Sequence, residues 1–207
     1  MDPVKKLTHY FEHFPGIGPR QAKRFVYHLL KSSPETLRDL ANSLTALQRH
    51  IRTCTGCYRF YEAKASNGTL CAICADNARD ATTLMVVAKD IDLENIERSS
   101  VFRGHYFVLG NTIPILEKSP ERKILIKELL NRTLALQKSG LQEVVIALNS
   151  TPEGDHTSEY LIERLKPLTD GGKLKISLLG KGLSTGLELE YSDSDTIKHA
   201  VKNRFQP

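Results

Sequence analysis

The sequence predicts a multi-part α+β protein: an N-terminal helical region, a small four-cysteine module, an α/β domain on a mostly parallel sheet, and a C-terminal helix. Three observations predict it. Apolar residues recur at helical spacing through roughly the first fifty positions, and the chain's four cysteines follow at once as two CxxC pairs. From residue 82 short β-branched-rich runs alternate with amphipathic stretches, as in parallel strands joined by crossover helices. The parts are expected at 1–53, 54–77, 78–179 and 180–207.

Val4, Leu7, Phe11 and Phe14 mark a first helix, which Pro15-Gly16-Ile17-Gly18-Pro19 breaks. Ala22, Phe25, Val26, Leu29 and Leu30 give a second helix one apolar face. Ser33-Pro34 supplies a cap and a first-turn proline for a third, with Leu37, Leu40, Ala41, Leu44, Leu47 and Ile51 on one side. Gly16 and Gly18 allow a sharp turn and leave amides unobstructed at the start of the second helix, where the helix dipole favours an anion. Arg20, Lys23, Arg24 and Lys31 lie opposite Phe25 and Leu29 as a cationic stripe. An ordinary helical corner with a solvated basic face is the plain alternative. Helices on both sides and the aligned stripe favour binding to a phosphate backbone by a helix-hairpin-helix, with Gly16, Gly18, Arg20, Lys23 and Arg24 as the contact residues.

Cys54-Thr-Gly-Cys57 and Cys71-Ala-Ile-Cys74 are separated by thirteen residues, enough for a hairpin. Thiolates so spaced converge from two tight turns into a four-sulfur tetrahedral shell, the preference of a structural Zn²⁺ site. One Zn²⁺ per chain is therefore expected, with a rubredoxin-like iron as the rival ion. Disulfides do not suit a reducing compartment, and a thioredoxin-like motif needs one pair and not two.

In the α/β part, strands are expected at 84–87, 106–109, 144–148 and 174–179, and helices near 92–97, 119–138, 158–165 and 193–203. Functional groups of such sheets gather beyond the carboxyl ends of the strands. There Glu153 and Asp155 flank a glycine in a loop after the third strand, similar to the acidic pair that holds Mg²⁺ in the toprim fold of primases and topoisomerases. Working toprim chemistry also needs a glutamate after the first strand, where this chain has Ala88. Asp92 could face the same loop, but it does not stand at the glutamate's position. On the residues alone a metal site and a solvated acidic loop capping the next helix are equally good readings. Gly180-Lys181-Gly182-Leu183-Ser184-Thr185-Gly186 fails the Walker A template, since Gly182 follows Lys181, and reads as a tight connection. The seven histidines have no catalytic partners at motif spacing.

The net charge of +5 is unevenly placed: residues 1–53 hold nine Lys/Arg against four Asp/Glu, and the remaining residues hold twenty of each. All the excess thus lies in the part expected to face a polyanion. No apolar run reaches the length of a membrane span or resembles a signal peptide, so a soluble, cytoplasmic protein is expected.

In this order the parts resemble the RecR family of bacterial recombination proteins. The resemblance rests on Phe14-Pro15-Gly16-Ile17-Gly18-Pro19-Arg20, the four cysteines, Phe102-Arg103-Gly104-His105-Tyr106 with Val108-Leu109-Gly110, Asn149 through Tyr160, and Leu189-Glu190-Tyr191-Ser192-Asp193. It runs from about Val4 to the final helix. Ala88, Ser150, Asp155 and Ser184 depart from the family pattern, as does the loop after Leu109-Gly110. The resemblance implies a toprim domain, a zinc finger and a non-enzymatic DNA clamp of recombinational repair. It implies dimeric or tetrameric rings acting with RecO, and in some pathways RecF, to load RecA on gapped single-stranded DNA. It also implies that the acidic site, here Asp92, Glu153 and Asp155, serves partner contact. A Mg²⁺-dependent toprim enzyme acting on phosphodiesters is the alternative.

Overall fold

Each of the first three helices begins on a proline, whose missing N–H costs nothing at the first helical position. They are α1 (Pro3–Glu12), α2 (Pro19–Leu30) and α3 (Pro34–His50). Asp2 caps α1 by accepting from the Val4 amide at 2.9 Å, and Ser33 caps α3 by accepting from Thr36 at 3.1 Å. The computed structural model describes residues 2–63, 68–169, 171–172, 174–180, 182–183, 186 and 188–203. Lys181, Ser184 and Thr185 of the glycine-rich connection lie outside the described residues.

The chain divides into two compact units, residues 1–51 and 52–207. In the first, α1 packs on α2 around Ala22 and Val26, with Phe11 edge-on to both Phe14 and Phe25 at 5.6 Å. An apolar cleft of about 160 Å³ opens between Val4, Leu7, Val26, Leu29 and Leu37. No residue of α3 is buried.

From the last residue of the first unit the chain enters a two-stranded ribbon, β1 (Ile51–Thr53) with β2 (Phe60–Glu62), and then a single helical turn, α4 (Ala72–Ala75). Four parallel strands follow: β3 (Asp80–Val87), β4 (Gly104–Val108), β5 (Glu143–Ala147) and β6 (Lys175–Leu178), in the order β4-β3-β5-β6. They are linked by α5 (Asp90–Ser99), α6 (Ile126–Lys138) and α7 (Pro152–Leu165), and α8 (Ser194–Lys202) ends the described chain.

Alternation along the strands sorts the core into two layers. Leu84 and Val86 of β3, Phe107 of β4, and Val144 and Ile146 of β5 pack with Leu129 and Leu136 of α6 and Leu161 and Leu165 of α7. Met85, Val87, Tyr106, Val108 and Ala147 face the other way, against Leu93 of α5 and against Cys54, Cys57, Tyr61, Cys71 and Ile73. The sheet is covered on both faces, as its near-continuous apolar strands require. On one face the cysteine module does part of the covering that a helix does elsewhere.

Two helices differ from the sequence expectation. The helix expected over 119–138 begins only at Ile126, after a separate 3₁₀ turn at Pro120–Arg122. The Leu125 amide donates instead to the Leu109 carbonyl at 3.1 Å, tying this segment to the end of β4. The helix expected near 158–165 begins six residues earlier, at Pro152, because Thr151 caps it by accepting from the Gly154 amide at 3.1 Å. Glu153 and Asp155 therefore stand in the first turn of a helix and not in a loop. Among the described residues no helix is long and apolar enough to cross a membrane.

Candidate metal centre and nucleic-acid interface

The four thiols converge as their spacing predicts. Their sulfurs all lie within 4.8 Å of one another, and Cys57 Sγ and Cys71 Sγ are 3.6 Å apart. A tetrahedron of sulfurs about 2.3 Å from a central ion has edges of about 3.8 Å, so the shell fits a thiolate-bound metal. The first knuckle closes through the Tyr58 amide, which donates to the Cys54 carbonyl at 2.9 Å, and the second through Ala75 to Cys71 at 3.0 Å. The amides of Gly56 and Cys71 donate to Cys54 Sγ at 3.4 and 3.3 Å, which favours the thiolate. A methyl group at Gly56 would stand 3.0 Å from Cys74 Sγ, so glycine keeps the shell uncrowded.

Hydrogen bonds from Cys57, then Cys71 and Cys74, hold the Cys54 thiol well below its ordinary value against the opposing effect of burial. Cys57 and Cys74 are pushed well above theirs, first through their hydrogen bonds with Cys54. Four adjacent thiols cannot all ionise without a cation to share, and a bound divalent ion resolves that conflict.

The module is anchored to the sheet. The Val108 amide donates to the Cys57 carbonyl at 2.8 Å, and the Phe60 amide to Asp90 Oδ1 at the start of α5 at 2.7 Å. Arg79, five residues after Cys74, donates to the Gly104 carbonyl at 2.8 Å, pairs with Glu97 of α5 and lies over the Tyr106 ring. No local pattern marks Arg79: apart from its ion pair with Asp76, its partners Glu97, Gly104 and Tyr106 are distant in the chain.

At the hairpin, Gly16 has φ +75°, a conformation that disfavours any side chain with a Cβ. Gly18 is different: its φ is ordinary and a methyl group there would meet nothing within 4 Å. The fold does not demand glycine at 18, whereas a ligand approaching the backbone from outside would. Gly18 also caps α2 without a side chain, so no side-chain oxygen competes for the first-turn amides. Arg20, Lys23 and Arg24 are exposed on the helix that follows, and Lys31 is exposed at its C-cap.

The acidic residues are arranged differently from the cysteines. Asp92 accepts from the Lys89 amide at 2.9 Å, bracing the first turn of α5. Glu153 and Asp155 are exposed in the first turn of α7, and Ala88, after β3, is 1% exposed. Among the described residues the four cysteines are the one group of three or more potential metal ligands that converges. The structure adds a cleft of about 660 Å³ where Ser150, Thr151 and Asp155 meet Asp193, Thr196 and His199 of the C-terminal segment. Residues some forty positions apart form it, and the sequence gives no sign of it.

A parallel sheet with acidic helix starts beyond its strand ends, joined to a thiolate cluster and following a glycine hairpin, defines a multi-part toprim protein. The family model for the toprim domain matches residues 82–179, that for the RecR helix-hairpin-helix matches 4–47, and that for the RecR C-terminal region matches 182–204. The chain is 37% identical over 202 residues to the recombination protein RecR of Roseiflexus sp. strain RS-1, covering 98% of this chain and 93% of that one. With RecR of Lactococcus lactis subsp. cremoris strain MG1363 it shares 33% identity over 205 residues, 99% and 98% of the two chains. With that of Paenarthrobacter aurescens strain TC1 it shares 34% over 202 residues, 97% and 95%. The chain belongs to the RecR family.

Proposed function

We propose that this chain is a non-enzymatic DNA-binding clamp of recombinational repair in the bacterial cytoplasm. It binds through the hairpin amides beyond Gly16 and Gly18 and through Arg20, Lys23 and Arg24. The observation that carries the reading is the open, side-chain-free start of α2 beside an exposed cationic stripe, in a chain whose excess charge lies within residues 1–53. Cys54, Cys57, Cys71 and Cys74 would hold one structural Zn²⁺, an ion that favours four thiolates and whose binding energy would add to folding. A homodimer or homotetramer ring presents several weak backbone sites at once, which raises their joint affinity without new contacts. The exposed leucines of α3 offer an apolar surface of the kind a second copy covers.

In this reading Asp92, Glu153 and Asp155 meet a partner of the RecO type. RecF takes part in some pathways, and the outcome is RecA loading on gapped single strands. A phosphodiester enzyme gains no support at Ala88, which offers neither metal ligand nor base.

The test is the double substitution Lys23→Glu with Arg24→Glu. Binding should weaken to a similar degree for unrelated DNA sequences, and the slope of log affinity against log salt should flatten by about 2. Parent-like binding at matched salt would leave the hairpin a plain helical corner. Glu153→Ala with Asp155→Ala should leave DNA binding nearly unchanged and alter association with a RecO-type protein. A Mg²⁺- or Mn²⁺-dependent turnover of DNA lost in that variant would establish the enzyme instead.

A further inference from the structure

The stripe on α2 contains an aromatic residue as well as cations. At 100° per residue, Arg20, Lys23, Arg24, Tyr27 and Lys31 fall within an arc of about 100°, with Tyr27 near its middle. Tyr27 is 56% exposed. The inward face of α2 is already filled by Ala22 and Val26, with Phe25 packed edge-on to Phe11. Among the described residues the Tyr27 ring has no ring partner and its hydroxyl no hydrogen bond. Packing of this unit thus gives no reason for a large aromatic here.

We propose that Tyr27 is a base-stacking platform that makes the hairpin prefer single-stranded DNA. The proposal rests on the reading of α2 as a phosphate-binding helix and adds what that reading leaves open, namely which form of DNA is held. Lys23 and Lys31 each lie one helical turn, about 6 Å, from Tyr27 along the axis. Cations on both sides can hold successive phosphates while the ring meets the base between them. Stacking on an aromatic side chain is sequence-tolerant because every base has a π-face. A duplex keeps its bases paired and stacked inside, so it gains from the cations alone. Arg20 to Lys31 spans about 16 Å, several times the 3.4 Å axial rise per phosphate on one strand of a duplex, which is room for more than one nucleotide.

The chain contains no tryptophan, so Tyr27→Trp installs a single reporter at the site. Its fluorescence should be quenched by oligothymidylate and much less by a duplex of equal length at the same occupancy. Tyr27→Leu, which keeps apolar bulk but removes the π-face, should lose roughly five-fold or more in affinity for oligothymidylate. Its duplex affinity and salt slope should be those of the parent, and Tyr27→Phe should bind as the parent does. Unchanged single-strand affinity in Tyr27→Leu overturns the platform, while the stripe stands if Lys23→Glu with Arg24→Glu still weakens both DNA forms. If that charge reversal changes neither form, the phosphate-binding reading fails as well. Equal loss for single strands and duplex in Tyr27→Leu, with a smaller mass by light scattering, assigns the residue to a contact between copies and also overturns the proposal.

Discussion

The two units spend their apolar residues in different ways. In residues 52–207 strands and helices bury Leu84, Val86, Phe107, Ile146, Leu161 and Leu165 on one side of the sheet, and Tyr106, Val108 and the cysteines on the other. In residues 1–51 Ala22 and Val26 are the buried apolar side chains, and Leu37, Leu40, Leu44 and Leu47 of α3 remain 39 to 58% exposed. The larger unit builds two continuous apolar layers of its own, although Val101, Leu116, Leu189 and Tyr191 stay exposed. The smaller one displays apolar, cationic and aromatic groups on its outside. The proposed metal site inside a core and the proposed DNA site on a helix surface should therefore respond differently to mutation.

The largest effect is expected at the cysteines, because they are both the proposed ligands and part of the core. Cys71→Ser should abolish metal binding and lower the melting temperature of the second unit more than any single core truncation. Apparent binding energies of structural zinc sites are about 10–16 kcal/mol. Metal analysis with a thermal melt checks this, and an unchanged melt would separate the cysteine module from the sheet it covers. Next, Leu161→Ala should cost about 2–5 kcal/mol in denaturant unfolding. Leu44→Ala should stay within about 0.5 kcal/mol in dilute, dissociated chains, as exposed substitutions do. A larger cost at concentrations where the chains assemble would support the proposed covering of α3 by a second copy. The charge reversal at Lys23 and Arg24 should alter DNA affinity while leaving both units as stable as before.

The smallest effect concerns pH. Burial first, and then the nearby charges of Arg132 and Arg79, hold His105 below its ordinary value, opposed by Asp76 and Asp80. Its protonated form is thus disfavoured in the fold relative to the unfolded chain, whose histidines titrate near 6.5. Stability should fall as pH drops through that value and toward the lower native one. His105→Gln should flatten the dependence in metal-replete protein, measured by unfolding between pH 8 and pH 5. An identical slope in the variant would place the acid sensitivity elsewhere.

The parts whose information is local could be read directly from the chain. Two CxxC pairs state a ligand set, Pro15 to Pro19 state a hairpin, and β-branched runs state buried strands, because each depends on neighbours within one turn or one strand. The start of α7 was written in Thr151-Pro152 but is obscured by the acidic run after it, which reads as a loop until the cap is seen. Other features depended on contacts between distant residues. Only the tertiary structure shows Arg79 bridging Glu97 and Gly104, the 660 Å³ cleft between α7 and the C-terminal segment, and cysteines that serve as one wall of the sheet's core. Sequence determined which residues could bind a metal or a phosphate, since valence and charge belong to the residue. Burial and convergence belong to the packing of elements far apart in the chain, and the fold alone decided them.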